Sequence, residues 1–230
     1  MGYFNGVKLN YPLDFDKKSD DGEWLRGWST YSNGTCTQYH SLSSGRWASI
    51  QTRCKVGGSH QKKFPTYIGS KNDFMDFQEF VEWSRGEVGY NLKDVDGRNW
   101  ALDKDFVILG NLSYNPKSCI FVPGVVNSFL ALKPLTGDVR MHGVSWNTSV
   151  KKYSSRIIIE GKRTLLGYSD NTYECHLKWQ WAKKNIAESL ISRFSKNGDI
   201  YHPKLVEALI NITEKLSKDI NDGKITERFL

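Results

Sequence analysis

Apolar side chains recur at helical spacing in two segments of the first half of the chain. They are Trp47, Ile50 and Cys54 in residues 45–55, and Phe74, Phe77 and Val81 in residues 72–85. Side chains three and four positions apart share one face of an α-helix, so both segments are predicted to be helices that bury this face. Asn72 or Asp73 is the expected N-cap of the second helix, which should end near Arg85.

The second half of the chain combines strand and helix patterns. Three short strands are predicted at residues 143–147, 153–160 and 162–168, and a tight reversal at Gly161 joins the last two. Ser169 or Asp170 should then cap a helix that runs through Lys184.

Helical spacing also occurs near both ends of the chain. Trp24, Trp28 and Tyr31 predict a short amphipathic element of helical period. Residues 185–230 predict two helices, which Asn197-Gly198 and Pro203 separate. Lysines alternate with acids in this C-terminal region, so it is typical of a packing or protein-interaction element.

Residues 100–127 predict a strand, a turn, a second strand and a helix in immediate succession. The turn residues are Gly110, Asn111, Tyr114, Asn115 and Pro116. The first strand, 100–105, contains Asp103, and Pro123 begins a helix in which Asn127 lies about one turn from the start. This succession should bring Asp103 and Asn127 within reach of each other. Carboxylate and amide oxygens are ligands that Mg²⁺ accepts while keeping several waters.

This segment resembles the His-Me finger of phage HNH homing endonucleases, in the variant form LDKD…GN…Y-x-P-x-x-C-x-F-V-P…N. The resemblance implies a ββα-metal finger over residues 100–131 that cleaves or nicks double-stranded DNA. It makes Asp103 a metal ligand and Asn127 the second ligand of one Mg²⁺ or Mn²⁺ ion. It places Lys104 at the position of the general base, and it gives Asn115 the role of bracing the loop.

The general base of that family is usually a histidine, and Lys104 stands in its place. A lysine near its reference pKa of about 10.4 is protonated at neutral pH and cannot accept a proton. Burial or neighbouring cations would have to lower this pKa, whereas Asp103 and Asp105 would raise it. Two alternatives stay open: another residue supplies the base, or Lys104 only neutralises the scissile phosphate.

Residues 142–184 resemble the apetala/ethylene-response-factor DNA-binding domain, a three-stranded sheet backed by one helix. The matching residues are Gly143, Val144, Trp146, Tyr153, Ile157, Gly161, Lys162, Leu166, Gly167 and Tyr168. In phage homing endonucleases this module often follows the finger. The segment holds eight basic and three acidic residues, so it carries five of the seven net positive charges of the chain. The resemblance and the charge together predict that this sheet binds DNA.

The expected DNA contacts follow from side-chain chemistry. Alternate residues of a strand share a face, so Ser154, Arg156 and Ile158 should lie together, with Arg163 reaching from the next strand. A guanidinium matches the two major-groove acceptors of guanine, so Arg156 and Arg163 are the predicted base readers. Trp146 is assigned to the DNA backbone or a thymine methyl. The predicted phosphate contacts are Lys151, Lys152 and Lys162.

Composition favours an anionic partner. The chain of 230 residues has a formal charge of +7 and a pI near 9.1, which indicates nucleic acid before an anionic membrane. It has no apolar run of about 18 residues and no signal pattern at its start, so the cytoplasm is the expected location, and the resemblance to phage endonucleases implies a phage-infected bacterial host. The four cysteines include no C-x-x-C pair, so neither structural zinc nor a disulfide framework is expected.

The predicted fold class is α+β: a ββα-metal finger with flanking helices, then a three-stranded antiparallel sheet with its helix, then C-terminal helices. The expected domains are residues 1–139, 140–184 and 185–230. Three functions are consistent with the sequence. The first is a metal-dependent DNA endonuclease, the second is a catalytically inactive DNA-binding protein on the same scaffold, and the third is a phage protein-interaction factor that acts through its C-terminal helices.

Overall fold

The computed structural model describes residues 2–4, 7–9, 15–32, 35–108, 110–130, 132, 139–159 and 161–229. Helices and strands are mixed along the chain, which confirms the α+β class. The chain forms two compact units, Met1–Phe121 and Val122–Leu230. The division between them falls inside the segment predicted as the finger, residues 100–131, whereas the boundary expected after residue 139 lies within the second unit.

A β-hairpin occupies the region of Trp28 and Tyr31. The strands of its sheet are β1 (Gly2–Phe4), β2 (Val7–Leu9), β3 (Gly27–Ser32) and β4 (Thr35–His40), in the order β1-β2-β4-β3. The prediction of helical spacing is therefore wrong here. Trp28 pairs with Tyr39 across the hairpin and their rings stack at 5.7 Å, and cross-strand aromatic pairs of this kind stabilise a sheet.

The first predicted helix is present as α1 (Leu42–Cys54), which begins three residues earlier than the apolar pattern indicated. Ser41 caps this helix, because its hydroxyl accepts a hydrogen bond from the N–H of Ser44. A short helix, α2 (Ser59–Lys63), and a 3-10 turn (Pro65–Tyr67) then carry the chain onward.

The second predicted helix, α3 (Phe77–Gly86), begins later than expected. Its N-cap is Asp76, which accepts a hydrogen bond from the N–H of Glu79, so the prediction of Asn72 or Asp73 as the cap is wrong. Asn72 instead belongs to strand β5 (Lys71–Asn72), which needs an extended backbone.

The aromatic stripe of α3 is core, as predicted. The cluster of buried residues in this part of the unit is Trp47, Ile50, Phe74, Phe77, Phe80, Val81, Tyr114 and Cys119. Phe74 and Phe80 meet edge to face with ring centres 5.2 Å apart. Tyr114 belongs to strand β7 (Ser113–Tyr114), which runs parallel to β5. Because Tyr114 is part of this cluster, helices α1 and α3 hold one end of the loop that follows Asp103.

Strands β6 (Ala101–Asp103) and β8 (Ile120–Val122) pair within the segment 100–127. β6 ends two residues before the predicted position. The Asp103 carboxylate accepts hydrogen bonds from the backbone N–H groups of Asp105 and Phe106, and these bonds turn the chain. Helix α4 (Gly124–Leu130) follows Pro123 directly, as expected.

The second unit contains the predicted three-stranded antiparallel sheet. Its strands are β9 (Val144–Asn147), β10 (Lys152–Ile159) and β11 (Lys162–Ser169), in the order β11-β10-β9. β9 pairs only with the first four residues of β10, so the rest of β10 extends beyond it. A shift of register between Ser155 and Arg156 marks a bulge, opposite which Gly167 has a φ of 141° that other residues rarely adopt.

Helix α5 (Thr172–Phe194) packs on this sheet and is longer than predicted. Asn171 caps it by accepting hydrogen bonds from the N–H groups of Tyr173 and Glu174, so Ser169 and Asp170 are wrong as caps. The helix runs ten residues past Lys184, since neither glycine nor proline interrupts it. The boundary expected after residue 184 therefore lies inside a continuous helix.

Helix α6 (Pro203–Asn221) packs on α5 through a buried face of Leu205, Leu209, Ile212 and Leu216. Residues 222–229, here called the C-terminal segment, return to the start of the unit. The N–H of Thr226 donates to Nε2 of His176 at 2.9 Å, and a ring nitrogen of His142 lies 3.0 Å from the carbonyl oxygen of Glu227. The apolar faces of the C-terminal helices are thus used within the unit itself.

Candidate functional site

Asp103 ends strand β6 and is partly buried. Its Oδ1 accepts hydrogen bonds from the N–H of Asp105 at 3.0 Å and from the N–H of Phe106 at 2.7 Å. Burial, followed by the charge of Asp105, raises the pKa of Asp103 to about 6. Two carboxyl groups this close repel each other when both are ionised, so the pair is a suitable place for a cation.

The chemistry of these donors fits a magnesium ion. Mg²⁺ binds one or two protein carboxylates and retains water in the rest of its shell. The Asp105 side chain is 46% exposed, which leaves the pair open to solvent. Among the residues that the structure describes, no three His, Cys, Asp or Glu side chains form a metal-binding group. An ion held at Asp103 would therefore complete its coordination with water and with amide or carbonyl oxygens.

Asn127, the second ligand that the resemblance implies, is exposed on α4 and belongs to the second unit. Its N–H donates to the carbonyl oxygen of Pro123 at 3.0 Å, which places it one turn inside the helix as predicted. Its partnership with Asp103 stays a prediction.

Lys104 is turned into the protein, and its side chain is only 5% exposed. Its Nζ donates to the carbonyl oxygen of Asn111 at 2.8 Å and to Oδ2 of Asp105 at 3.2 Å. The rings of Tyr67 and Tyr114 lie on either side, with centres 5.8 and 6.0 Å from Nζ. Both polar partners are acceptors, so Lys104 acts as a donor. A buried ammonium with these contacts is poorly placed to accept a proton or to reach a phosphate.

Asn111 organises the loop, a role that its position in a turn did not predict. Its Nδ2 donates to the carbonyl oxygens of Lys104 at 2.6 Å and Ser113 at 2.7 Å, and to the hydroxyl of Ser118 at 2.9 Å. Its Oδ1 accepts a hydrogen bond from the N–H of Ser113 at 3.0 Å. The Gly110-Asn111 pair was the available signal, but a turn pair gives no indication of these contacts.

Asn115 holds the second half of the same loop. Its Oδ1 accepts hydrogen bonds from the N–H groups of Lys117 at 2.9 Å and Ser118 at 3.0 Å, and its Nδ2 donates to the Ser113 hydroxyl at 2.9 Å. These contacts hold the two parts of the loop together. Any further role of Asn115 in catalysis stays a prediction.

One face of the three-stranded sheet is open to solvent over part of its area: Ile158 and Arg163 are exposed on it, Arg156 is half-buried, and Ser154 is buried beside Ser145. Arg163 pairs directly with Ile158, and Arg156 lies two residues before Ile158, so the three side chains share this face as predicted. Ile158 is 54% exposed, whereas Ile157, on the opposite face, is 4% exposed and buried under α5. The two arginines predicted to read bases are therefore together on the free side of the sheet.

Trp146 does not belong to this face. It pairs with Tyr153, with ring centres 5.0 Å apart, and Tyr153 lies four residues before the buried Ile157, so both side chains are on the same face of β10. Trp146 thus projects on the side of α5, where it is still half exposed. The structure does not bring it together with Arg156 and Arg163.

The three predicted phosphate-binding lysines are distributed around the sheet. Lys152 lies on the open face, but its Nζ forms an ion pair with Asp170 at 2.8 Å. Lys151 is exposed in the turn before β10, where it has a φ of 54°. Lys162 is exposed at the hairpin end of β11 and pairs with Ile159. All three are at the surface, and only Lys152 shares the face of the arginines.

A cavity of about 330 Å³ continues this face at the edge of β10, where β9 ends. Its lining includes Arg156, Arg163, His142 and Lys183, together with the ring of Trp179. Nε of Arg156 is buried and has no hydrogen-bond partner within the described ranges. The cavity therefore extends the cationic character of the open face.

Comparisons of the chain with protein-family models, with curated proteins and with solved structures give no match. In the part of the chain that the structure describes, no helix combines the length and the apolar character needed to cross a bilayer. Fold and site thus define an α+β protein with an acid-bearing loop in one unit and a basic sheet in the other.

Proposed function

We propose that this chain is a DNA endonuclease of the phage HNH, or His-Me finger, type that nicks or cleaves double-stranded DNA with one Mg²⁺ or Mn²⁺ ion. The observation that carries the proposal is the environment of Asp103. Its carboxyl group is fixed by two backbone N–H groups and lies beside a second carboxyl group, Asp105. The resemblance of residues 100–127 to the finger supplies the reaction class.

In this proposal Asp103 is the first metal ligand, and the resemblance assigns the second to Asn127. A bound Mg²⁺ would stabilise the negative charge that develops on a phosphate oxygen during hydrolysis. Asn111 and Asn115 fix the conformation of the loop that follows Asp103 and so position its carboxylate. Lys104 is a positioning residue here and not the general base, because its Nζ is buried against two acceptors.

The open face of the sheet is the proposed DNA surface. It presents Arg156 and Arg163, and the charge of the chain supports this choice. Residues 122–230 contain 17 basic and 11 acidic residues, a net charge of +6, whereas residues 1–121 contain 15 and 14, a net charge of +1. Phosphate attraction is the main sequence-independent source of affinity for DNA.

A second candidate is a DNA-binding protein without catalytic activity on the same scaffold. The burial of Lys104 favours it, because the position that usually supplies the general base holds a residue committed to structural contacts. Both candidates share the DNA surface, so cleavage alone separates them.

The test is conversion of supercoiled plasmid to nicked or linear forms, with Mg²⁺ or Mn²⁺ and with chelator. We expect metal-dependent cleavage by the parent and none by Asp103→Asn, whose amide oxygen still accepts the two backbone hydrogen bonds while the charge is lost. Asp96→Asn is the matched control, because Asp96 is an exposed acid paired only locally with Arg98. Cleavage by Asp103→Asn at the parental rate would refute the assignment of the site. Plasmid binding without cleavage by the parent would favour the second candidate.

A further inference from the structure

A second cavity, of about 300 Å³, lies in the first unit and is lined by α1 and by the chain entering β6. Arg46, Ser49 and Arg53 line it from the helix, while Asn99 and Leu102 line it from the opposite side. Spacings of three and four residues place the three helical side chains on one face of α1. This spacing is visible in the sequence beside the apolar face of the same helix, which Trp47, Ile50 and Cys54 form.

Both arginines have buried donors without a partner. Arg46 Nη1 and Arg53 Nε are buried, and neither has a hydrogen-bond partner in the part of the chain that the structure describes. The rest of each guanidinium is held in place. The Arg46 guanidinium carbon lies 4.7 Å from the ring centre of Phe121, and Arg53 Nη1 donates to the Tyr114 hydroxyl at 3.2 Å. Buried donors without partners are unfavourable and commonly mark the place of a bound ion, water or ligand.

The cavity is also positively charged. No acidic side chain lines it among the described residues. The nearby carboxylate of Asp16 already accepts hydrogen bonds from the N–H and the hydroxyl of Ser43, at 2.9 and 3.1 Å. Burial lowers the pKa of Arg46 to about 10, although the charge of Asp16 opposes the shift, so the guanidinium is still charged at neutral pH. The unpartnered guanidinium donors and the positive charge together favour an anion as the ligand of this cavity.

We propose that Arg46 and Arg53 form a binding site for a phosphoryl group, occupied by a backbone phosphate of nucleic acid. Guanidinium groups offer planar pairs of donors that match phosphate oxygens, and the Ser49 hydroxyl lies between the two arginines on the helix. Because Ala101 and Leu102 of β6 line this cavity and β6 ends at Asp103, a phosphate bound here lies beside the strand that carries the acid. The choice of nucleic acid as occupant rests on the proposed function, whereas the phosphoryl chemistry does not.

The first test measures the midpoint of thermal unfolding with inorganic phosphate against chloride at equal ionic strength. A ligand that binds only the folded state raises this midpoint with concentration. We expect phosphate to raise it for the parent and not for Arg53→Gln or Ser49→Glu. The glutamate of Ser49→Glu would place a carboxylate against both arginines without removing either, so it keeps the packing of α1. The exposed Arg98→Gln, which removes a guanidinium outside the cavity, is the matched control and should respond like the parent. An equal response of all four proteins, or no response of the parent, would overturn the site.

The second test identifies the occupant through the salt dependence of binding to a short DNA duplex. If a backbone phosphate occupies the site, Arg53→Gln and Ser49→Glu should each reduce the slope of log affinity against log salt by about one. An unchanged slope, with stabilisation by a nucleoside monophosphate, would reject nucleic acid and assign the site to a small phosphorylated ligand. Failure of the proposed function has a different signature: the parent would not bind or cut DNA, while the response to inorganic phosphate would remain.

Discussion

At the scale of single residues, the loop after β6 depends on two side chains that bond to each other's backbone. Lys104 Nζ donates to the carbonyl oxygen of Asn111, and Asn111 Nδ2 donates to the carbonyl oxygen of Lys104. Each residue therefore satisfies a backbone acceptor of the other. This reciprocity suits a lysine, because its long side chain reaches the Asn111 carbonyl oxygen seven residues further along the chain.

Replacing Lys104 should affect stability. Lys104→Met keeps the length of the side chain but leaves the Asn111 carbonyl oxygen and Asp105 without their donor, so we expect the free energy of unfolding to fall by about 1–3 kcal/mol. Urea denaturation measures the change, and Lys117→Met, an exposed lysine of the same loop, is the control. Loss of cleavage by Lys104→Met with unchanged stability would instead make Lys104 a catalytic residue.

His176 holds the second unit together through both ring nitrogens. It is fully buried, Nε2 accepts the N–H of Thr226, and Nδ1 lies 2.9 Å from the carbonyl oxygen of His142. Only a donor suits a carbonyl, so the neutral ring carries its proton on Nδ1. Burial lowers the pKa of His176 below the ordinary value of histidine.

This environment predicts acid sensitivity. The unfolded chain binds a proton at His176 near pH 6.5, while the folded chain binds it only at lower pH. The contribution of His176 to stability should therefore be complete above about pH 6.5 and decline below it, by up to about 1.4 kcal/mol per pH unit. Urea denaturation between about pH 5 and about pH 7 measures this decline. His176→Gln, which keeps a donor and an acceptor, should reduce it, and His40→Gln, an exposed residue, should not. Parallel pH profiles for the parent and His176→Gln would contradict the assignment.

At the scale of elements, the hairpin of β10 and β11 carries the two arginines on its open face, and its other face packs on α5. An exposed guanidinium on a strand can bind the edge of a base directly. A lysine in an ion pair can bind a phosphate only after it leaves its carboxylate partner. Arg163 and Lys152 represent these two situations on the same sheet.

Substitutions on the sheet should separate base reading from phosphate attraction. Arg163→Ala should weaken binding to the preferred duplex by about 1–3 kcal/mol and relax sequence preference, with Arg156→Ala behaving alike. Lys152→Ala should weaken all duplexes similarly and reduce the salt slope by about one or less, because Asp170 already neutralises part of its charge. Titration of a panel of duplexes measures both effects, and Lys196→Ala, in the exposed connection between α5 and α6, is the control. Uniform behaviour of all four variants would remove this face as the DNA surface.

The elements that sequence predicted well are those with a strong local period. The aromatic stripe of α3 and the three strands of residues 144–169 were placed within a few residues, because burial of one face fixes the spacing of apolar side chains. Features set by partners elsewhere in the chain were missed. Trp28 stacks on Tyr39 across a hairpin, and the Lys104 ammonium meets a carbonyl oxygen seven residues away, and no spacing rule encodes either contact.

At the scale of the whole molecule, charge is divided unequally between the two units. The second carries +6 and the first carries +1, although the first contains the acid-bearing loop. Attraction for DNA should therefore originate mainly in residues 122–230, and it should respond to salt as a property of the complete chain.

We expect affinity for duplex DNA to fall about a thousandfold between about 50 and about 200 mM salt, which corresponds to around six phosphate contacts. Fluorescence anisotropy of a labelled duplex at several salt concentrations measures this slope. The matched comparison replaces chloride by glutamate, which changes the anion while the cation released from DNA stays the same. A flat response would mean that the net charge does not serve nucleic-acid binding.

The C-terminal segment forms hydrogen bonds with His142 and His176, which the ribosome adds to the chain much earlier than this segment. When only the residues up to the end of α5 have emerged from the ribosome, the imidazole of His176 still lacks the N–H of Thr226, so the second unit cannot reach its final state at that moment. The first unit has no such delay, because every contact described within it is available once residue 121 has emerged. During translation the acid-bearing loop should therefore become structured before the three-stranded sheet of the second unit is complete. A nascent chain stalled before residue 224 would have a formed first unit and an unfinished second one.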